Sequence, residues 1–237
     1  PATDEIFMEI PTHSWKDSKT CLKLAGQAQK KWKTTSIASR IELVRGAMEY
    51  FKVNKEAIAQ DITLQMGKPI QQSRNEVKGM IWRAEVCCGF ANDALKDIPL
   101  QDNSALYRFI RREPLGVVLD IAAWNYPLLI AINVVVPSVL SGNAVIIKHS
   151  SLTPLCAIAF EKAFKHADAP HGLVTALIID HVVTEQVIQS GLIHHVVFTG
   201  SVDGGRQIQA PLSGQLIDVG LELGGKDPMI ILDDADI

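Results

Sequence analysis

The stretch Phe198-Thr199-Gly200-Ser201-Val202-Asp203-Gly204-Gly205-Arg206 decides the fold. Apolar residues 196–198 run directly into a turn of small residues, and a helix-compatible segment starts near Asp203. This order predicts a strand, a tight turn and a helix N-terminus, where unpaired backbone N–H groups and the helix dipole favour an anion. The glycines let a phosphate approach the backbone closely. A simple structural turn explains the stretch equally well, and it lacks the G-x-G-x-x-G fingerprint of dinucleotide-binding proteins.

The composition predicts a globular chain that binds neither nucleic acid nor a membrane. Of its 237 residues, 47% are hydrophobic, which suffices for the core of one large domain or two small ones. The formal net charge of -3 does not favour nucleic acid or an anionic membrane surface. The longest apolar run, residues 128–140, is too short to cross a bilayer, and the N-terminus lacks a signal-peptide pattern.

Four cysteines lie at positions 21, 87, 88 and 156, and none belongs to a C-x-x-C motif. We interpret them as reduced thiols that pack within helices, which predicts a cytoplasmic protein without a structural zinc site. We interpret the neighbouring His194 and His195 as strand-edge residues rather than metal ligands, so no metal site is predicted.

Helices are predicted through the first hundred residues. Helical periodicity covers residues 18–33, and Ser39-x-x-Glu42 has the spacing of a capping box. A third helix is predicted to end at Gly67, and Ser73-x-x-Glu76 is predicted to open a fourth. Residues 103–113 alternate loosely between polar and apolar, which predicts a half-exposed strand that another chain could cover.

Beyond residue 115, predicted strands alternate with predicted helices. The strands are expected at residues 117–122, 144–148, 174–179, 196–198 and 216–222. The helices between them are expected at residues 127–142, 153–166, 184–190 and 203–212. This alternation predicts a parallel sheet with right-handed crossovers, whose ligand sites lie at the carboxyl ends of the strands. Those ends carry Asn125, Lys148, the turn at Gly200 and Glu222. One edge of the sheet therefore gathers an amide, an ammonium group, a phosphate-suited turn and a carboxylate.

Five segments resemble the aldehyde dehydrogenase superfamily in their sequence, order and spacing. They are Glu113-Pro114-Leu115-Gly116-Val117, Trp124-Asn125-Tyr126-Pro127, Gly142-Asn143-Ala144-Val145, Phe198-Thr199-Gly200-Ser201 and Glu222-Leu223-Gly224-Gly225-Lys226. The resemblance implies an α/β fold with an open parallel Rossmann-like sheet of about five strands. It also implies an N-terminal helical wrap and a small β oligomerisation element.

The resemblance divides the sequence into four regions. Residues 1–100 are expected to form an N-terminal arm and helices that pack on the cofactor domain, and 101–114 the oligomerisation strand element. Residues 115–228 are expected to form the dinucleotide-binding domain, and 229–237 the start of a catalytic domain, beginning with a strand. None of the four cysteines follows Glu222, whereas the family's nucleophilic cysteine does. We therefore expect the sequence to end before the catalytic cysteine.

The family oxidises an aldehyde to a carboxylic acid with NAD or NADP as cofactor. A cysteine attacks the carbonyl, a hydride passes to the nicotinamide, and water hydrolyses the thioester. The resemblance implies that Asn125 donates its amide to the oxyanion and that Glu222 is the general base. The cofactor-binding residues that it implies are Ala122, Trp124, Lys148, Ser151, Gly200, Ser201, Gly205, Leu223 and Gly224.

Each of the main roles has a structural alternative. Asn125 precedes Tyr-Pro and could be only a turn residue, and Lys148 could be a solvated charge at a strand end. Glu222 is harder to explain by packing, because a buried carboxylate without a partner is costly.

The residue at position 151 bears on the choice of cofactor. Many NAD-preferring members carry there a glutamate that binds both ribose hydroxyls, whereas this sequence has Ser151. A hydroxyl does not repel a 2′-phosphate as a carboxylate does, so the sequence predicts that NADP is accepted and even preferred.

The aldehyde itself is less well defined. The helix at residues 128–140 would form one wall of the substrate tunnel, with Asn133 and Ser138 as its polar residues. Because this wall is otherwise apolar, it favours an aldehyde with a carbon chain, and a short semialdehyde such as succinate semialdehyde is the alternative. The resemblance implies a homodimer or homotetramer. The alternative is a non-catalytic dinucleotide-binding or subunit-interaction module. A relative that transfers the acyl group to coenzyme A or phosphate is a third reading, against which Glu222 argues.

Overall fold

Four helices form the N-terminal part of the chain in the computed structural model, which describes residues 1, 5–100 and 106–236. They are α1 (Trp15–Trp32), α2 (Ile37–Val53), α3 (Lys55–Met66) and α4 (Ile70–Leu95). Helix α3 ends as predicted at Gly67, which has a left-handed φ of 77°. The helices bury one face each, with Met48 and Met80 in the core, and Cys88 lies there too, which confirms its predicted packing role.

Two predicted helix starts are wrong. Helix α2 is capped by Ser36, whose hydroxyl accepts a hydrogen bond from the Ser39 N–H, so Ser39 is already inside the helix. Helix α4 begins at Ile70, directly after Pro69, because proline favours a helix start. Glu76 therefore lies inside the helix and is buried against another element.

The C-terminal part contains one parallel sheet of five strands. They are β3 (Val117–Ala122), β4 (Ala144–His149), β5 (Val174–Ala176), β6 (His195–Thr199) and β7 (Asp218–Glu222). Their order across the sheet is β5-β4-β3-β6-β7, and every pair is parallel, as the sequence predicts. The chain moves outward from β3 to β5 and then returns to the other side of β3. The point where this direction reverses is where open α/β sheets bind ligands.

Helices connect these strands. They are α5 (Pro127–Leu140), α6 (Pro154–His166), α7 (His181–Gln189) and α8 (Val202–Gln209), and the 3-10 turn Ala210–Leu212 follows α8. Helix α1 attaches to α5, since the Trp32 indole N–H donates a hydrogen bond of 2.8 Å to the carbonyl of Val139. The helical wrap therefore packs on the sheet and its crossovers around one shared core.

Burial differs between the middle and the edge of the sheet. Every residue of β3 and β4 is buried, including Asp120 in the middle of β3. Strand β7 has a neighbour on one side only, and its two end residues are exposed. Strand β5 is shorter than predicted and ends at Ala176.

Outside the main sheet, strands β1 (Ile98–Pro99) and β2 (Phe109–Ile110) form an antiparallel pair. The predicted strand at 103–113 is therefore observed only at 109–110, and residues 103–105 lie outside the described residues. The prediction that residues 229–237 begin with a strand is wrong. Residues 223–236 form no strand, and Met229 is 85% exposed, because no neighbouring strand lies beside this segment.

Two further features concern the described residues as a whole. Within them, no helix is both long enough and apolar enough to cross a bilayer. The same part of the chain contains no group of three or more His, Cys, Asp or Glu residues that could hold a metal ion.

Candidate cofactor-binding and active site

The loops that follow four strands meet at one edge of the sheet. Ala122 pairs in register with His149, and the Ser150 N–H donates a hydrogen bond of 2.9 Å to the Ala122 carbonyl. On the other side, the Gly200 N–H donates a hydrogen bond of 3.0 Å to the Glu222 carbonyl. The segments that carry the predicted site residues are therefore neighbours in space, at the carboxyl ends of β3, β4, β6 and β7.

The glycine turn is built as a capped helix start. Ser201 precedes α8, and its hydroxyl accepts a hydrogen bond of 3.0 Å from the Gly204 N–H. The helix begins at Val202, one residue before the predicted Asp203. The first N–H groups of α8 point outward at an exposed end, which favours a bound anion.

The glycines of this turn have a packing reason that the sequence analysis missed. A Cβ atom on Gly200 would lie 2.6 Å from Cζ of Phe198, and one on Gly204 would lie 2.7 Å from the same atom. A Cβ atom on Gly205 would lie 2.7 Å from Cδ2 of Leu223. The turn thus lies directly on the Phe198 ring, and any side chain at Gly200 or Gly204 would lift it.

Lys148 lies near the end of β4 and is only 8% exposed. Burial lowers the pKa of its ammonium group, and the negative charge of Asp180 partly opposes that shift. Among the described residues it forms neither a hydrogen bond nor a salt bridge. The alternative of a solvated surface charge does not fit this burial, because an ammonium group held out of water needs a partner.

His149, the next residue, faces the opposite side of the sheet and supports helix α5. Its Nε2 atom lies 3.0 Å from the carbonyl oxygen of Pro127, the first residue of that helix. Burial lowers the pKa of His149 to about 4, so the ring is neutral at pH 7. Since Nε2 faces a carbonyl oxygen, Nε2 carries the proton and donates it.

Asn125 and its neighbours lie exposed between β3 and α5. The Asn125 side-chain oxygen accepts a hydrogen bond of 3.1 Å from the Tyr126 N–H, as in a local turn. Its NH₂ group forms no hydrogen bond within the described residues and is free to donate. Trp124 and Ser151 are also exposed, whereas Ala122 is buried at the end of β3.

Glu222 does not lie at the end of a buried strand, as the sequence analysis assumed. It is exposed, together with Leu223 and Gly224, because β7 is the edge strand of the sheet. The cost of burying a carboxylate therefore does not apply to Glu222. In the described part of the chain its side chain forms no hydrogen bond or salt bridge.

The two charged residues point to different faces of the sheet. Lys148 pairs with Ile121, which also pairs with Phe198, whereas Glu222 pairs with Thr199. Because side chains alternate along a strand, Lys148 and Glu222 lie on opposite faces. The structure brings their loops to one edge, and a ligand that contacts both side chains must cross that edge. A cavity of about 720 Å³ lies elsewhere, between α1, α6 and β5, with Cys21, Glu161 and Pro170 in its lining.

Three charged residues that contact α5 or the residue before it were not predicted as site residues from the sequence. Lys68 and Glu76 form a buried salt bridge, and the Glu76 carboxylate also accepts hydrogen bonds from the first turn of α5. Arg83 donates a hydrogen bond of 2.9 Å to the side-chain oxygen of Asn133 on α5. The one sequence signal for Lys68 is its place between Gly67 and Pro69, where a helix breaks. The contacts of Glu76 and Arg83 connect distant segments and leave no local pattern.

Comparison with known proteins places these features in a family. The whole chain, residues 1–237, matches the sequence model described as the Aldehyde dehydrogenase family. It is 35% identical to the succinate semialdehyde dehydrogenase [NAD(P)+] Sad of Escherichia coli, over 100% of this chain and 51% of that protein. It is 31% identical to the 3,6-anhydro-alpha-L-galactose dehydrogenase of Streptomyces coelicolor, over 100% of this chain and 48% of that protein.

The chain also has the same fold as part of a larger solved structure. The succinic semialdehyde dehydrogenase of Streptococcus pyogenes, solved with NADP+, superposes with a TM-score of 0.91 at 29% identity. The match covers 99% of this chain and 51% of that one. The chain spans about half the length of the curated relatives that it matches. The family model matches the chain from end to end, and the chain belongs to the aldehyde dehydrogenase family.

Proposed function

We propose that this chain supplies the cofactor-binding part of an NADP- or NAD-dependent aldehyde dehydrogenase that forms a carboxylic acid through a cysteine thioester. One observation carries the proposal: a buried ammonium group without an acid in contact, Lys148, and the exposed, capped start of α8 lie at the same sheet edge. They flank the point where the strand order reverses. Such an edge suits the ribose and pyrophosphate of a dinucleotide.

The cofactor fits the residues that are present. Lys148 would bind the adenosine ribose, and the turn that contains Gly200, Ser201 and Gly205 would bind the pyrophosphate, since its glycines allow close approach to the start of α8. The remaining proposed contacts, Ala122, Trp124, Leu223 and Gly224, follow β3 and β7 and would line the nicotinamide end. An extended dinucleotide across the edge could contact both faces of the sheet. When bound, the nicotinamide supplies the hydride acceptor.

Two side chains are proposed to act on the substrate. The free NH₂ group of Asn125 would donate to the oxygen that becomes negative when the thiol adds to the aldehyde. The exposed carboxylate of Glu222 would take a proton from water during thioester hydrolysis. Asn125 and Glu222 are exposed, whereas Lys148 is buried. This difference fits the proposed roles, since the groups that act on the substrate must be accessible to an aldehyde.

The nucleophilic thiol is proposed to lie outside residues 1–237. A nucleophilic cysteine needs a lowered pKa, and burial acts in the opposite sense on all four cysteines here. Burial raises the pKa of Cys88 to about 11 and raises that of Cys156 further, and the pKa values of Cys21 and Cys87 are raised too. None of these thiols is suited to attack a carbonyl.

For the cofactor, NADP is proposed as accepted and preferred. Ser151 is exposed after β4, three residues beyond Lys148, where its hydroxyl adds no negative charge. The Streptococcus pyogenes relative was solved with NADP+, and the name of the Escherichia coli relative includes NAD(P)+.

For the substrate, an aldehyde with a terminal carboxylate, such as succinate semialdehyde, is proposed. Tyr126, Ile130 and Asn133 lie on one side of the start of α5, at helical spacings of four and three residues. Asn133 holds the guanidinium of Arg83, which forms no ion pair within the described part of the chain. A cation at this wall, about two helical turns from Asn125, could bind the far carboxylate of a short semialdehyde.

The assembly and location are proposed from the exposed strand pair and from the cysteines. The exposed apolar residues of β1 and β2, including Phe109 and Ile110, support a homodimer or homotetramer. Four free cysteines support a reducing, cytoplasmic environment.

The test uses the full-length gene product. Calorimetry would measure the Kd of NADP and NAD, and absorbance would follow NADPH formation from succinate semialdehyde and neutral aldehydes. Asn125→Ala should lower kcat by about 100-fold to 1,000-fold without changing the Kd of NADP, since the donor acts mainly on the transition state. Asn92→Ala, an exposed position on α4, is the control. Binding of NADP without turnover of any aldehyde would instead support the non-catalytic dinucleotide-binding module.

A further inference from the structure

A buried salt bridge lies beneath the loop that carries Asn125. Lys68 and Glu76 are 6% and 2% exposed, and the ammonium group of Lys68 contacts Oε2 of Glu76 directly. Lys68 comes from the break between α3 and α4, and Glu76 from the second turn of α4. Neither residue belongs to the sheet edge, yet both reach the start of α5.

Glu76 supplies the N-terminal cap that α5 lacks. The residue before α5, Tyr126, makes no side-chain capping bond. Instead, Oε1 of Glu76 accepts hydrogen bonds of 2.9 Å from the Leu128 N–H and 3.3 Å from the Leu129 N–H. A carboxylate at this position also meets the positive end of the helix dipole. The first turn of α5 is therefore fixed to α4.

Lys68 connects this cap to Asn125. Its Nζ atom lies 3.8 Å from the centroid of the Tyr126 ring, which is a close cation–π contact. The Tyr126 N–H in turn donates to the side-chain oxygen of Asn125. That bond turns the amide so that its NH₂ group is the part left free. His149 holds the same segment from the sheet, through its 3.0 Å contact with the Pro127 carbonyl.

We propose that Lys68 and Glu76, with His149 on the opposite side, are positioning residues that orient Asn125 as the oxyanion donor. This inference rests on the proposed function. A buried ion pair contributes little to net stability, because desolvation offsets much of the attraction between the charges. Orientation is a different requirement, since a displacement of about 1 Å at a reacting group can cost about 100-fold in rate. Lys68 contacts Tyr126, and the residue before Tyr126 is Asn125, whose amide has to point at the reacting oxygen.

We call the Lys68–Glu76 pair and its contacts with Tyr126 and the first turn of α5 the clamp. The first measurement tests the clamp without any catalysis. The first variant is Lys68→Met. If it fails to fold, the double variant Lys68→Met/Glu76→Gln replaces it, because this variant leaves no unpaired charge and keeps an acceptor for the Leu128 N–H. Glu56→Gln is the matched control, because Glu56 also pairs with a cation, Arg74, but on the exposed surface. We expect hydrogen exchange of peptides that cover residues 124–129 to rise about tenfold in the clamp variants and to stay unchanged in the control.

The second measurement is a double-mutant cycle in the full-length gene product. Lys68→Met/Glu76→Gln should lower kcat by about 10-fold to 100-fold and leave the Kd of NADP within about twofold. In an Asn125→Ala background the same change should lower kcat by less than about twofold, because the group that it orients is already gone. Lys68→Arg, which keeps a cation beside Tyr126, should recover part of the rate.

The outcomes separate this inference from the proposed function. Equal losses of kcat with and without Asn125 would show a general structural role and overturn the inference, as would unchanged exchange at residues 124–129. If the wild-type protein oxidises no aldehyde, the proposed function fails and the catalytic role falls with it. A rise in exchange would in that case still identify the clamp as a structural contact.

Discussion

The backbone N–H of Gly200 donates a hydrogen bond of 3.0 Å to the carbonyl oxygen of Glu222, so the phosphate-suited turn and the candidate base are joined directly. Glu222 ends β7 and Gly200 directly follows β6, so their separation is set by the pairing of these two strands. A change that lifts the turn therefore also moves the strand end that carries the carboxylate. We therefore expect cofactor binding and hydrolysis to be coupled at this point.

Gly200→Ala should weaken NADP binding, because the new Cβ would lie 2.6 Å from Cζ of the Phe198 ring. We expect the Kd to rise about tenfold, since overpacking displaces the turn. Calorimetry would measure it. Gly26→Ala on α1, where nothing lies within 4 Å of the added atom, is the control. Adding Phe198→Leu should recover affinity, and no recovery would argue against contact with the ring as the cause.

Ser151→Glu should shift the cofactor preference towards NAD. The added carboxylate would repel a 2′-phosphate near Lys148 but could bind ribose hydroxyls. The ratio of the NADP Kd to the NAD Kd should rise at least about tenfold, in keeping with a repulsive contact of about 1.4 kcal/mol. Ser213→Glu adds the same charge at an exposed position before β7. An equal effect of both variants would mean that net charge, and not position 151, sets the preference.

Glu222→Gln should slow thioester hydrolysis while leaving hydride transfer largely intact. Loss of a general base typically costs about 100-fold to 10,000-fold in the step that it assists. Stopped-flow absorbance should therefore show a burst of NADPH followed by a slow steady state. Glu185→Gln on α7 removes an exposed carboxylate that has no proposed contact with cofactor or substrate and should change nothing. A variant that loses the burst as well would place Glu222 at the acylation step instead.

Arg83→Met should raise the KM for succinate semialdehyde and spare neutral aldehydes of similar length. Loss of a charge-assisted hydrogen bond to a carboxylate costs about 1.5–3 kcal/mol, or roughly 10-fold to 100-fold in KM. Arg45→Met is the control, since Arg45 pairs with Glu85 on the exposed surface. A uniform rise for all aldehydes would indicate a change in the tunnel wall rather than the loss of a carboxylate contact.

Asp120→Asn should stabilise the fold at neutral pH. Complete burial raises the pKa of Asp120 well above its ordinary value, and one carboxyl oxygen has no hydrogen-bond partner among the described residues. A raised pKa means that the native state holds the proton more tightly than the unfolded chain. The wild type therefore gains stability as the pH falls from the raised pKa towards about 3.9, the ordinary value.

The variant lacks this pH dependence. Its advantage in thermal unfolding should be at least about 1 kcal/mol at pH 7 and should shrink towards pH 4. His149 acts in the opposite direction, because its pKa of about 4 lies below that of the unfolded chain. Both proteins therefore lose stability through His149 as the pH falls from about 6.5 to about 4, and this contribution cancels in the difference between them. A constant difference across this range would contradict the assignment to Asp120.

The central strands were predictable because burial leaves a local signature. β3 and β4 are enclosed on both faces, so their apolar runs mark their positions almost to the residue. The order of strands and helices then determines which loops share an edge. That inference needs no knowledge of side-chain packing, and it placed the loops of Asn125, Lys148, Gly200 and Glu222 correctly.

The sequence predictions that were wrong or incomplete have a different origin. The exposure of Glu222 depends on β7 being the last strand of the sheet, which no residue of β7 encodes. Glu76 fits a local capping rule, but its carboxylate is used 52 residues away, at the Leu128 N–H. The glycines at 200 and 204 suggested a ligand, whereas the nearest reason for them is the ring of Phe198. Contacts between distant segments decided each of these cases.

Within residues 1, 5–100 and 106–236, strand β7 pairs with β6 along one side only, which leaves the other row of its backbone donors and acceptors open between Asp218 and Glu222. An open row of this kind is a template for any extended polypeptide that comes near it. Residues 1–237 prepared by themselves should therefore tend to self-associate at this border, and a strand supplied from elsewhere in the polypeptide would compete with that aggregation.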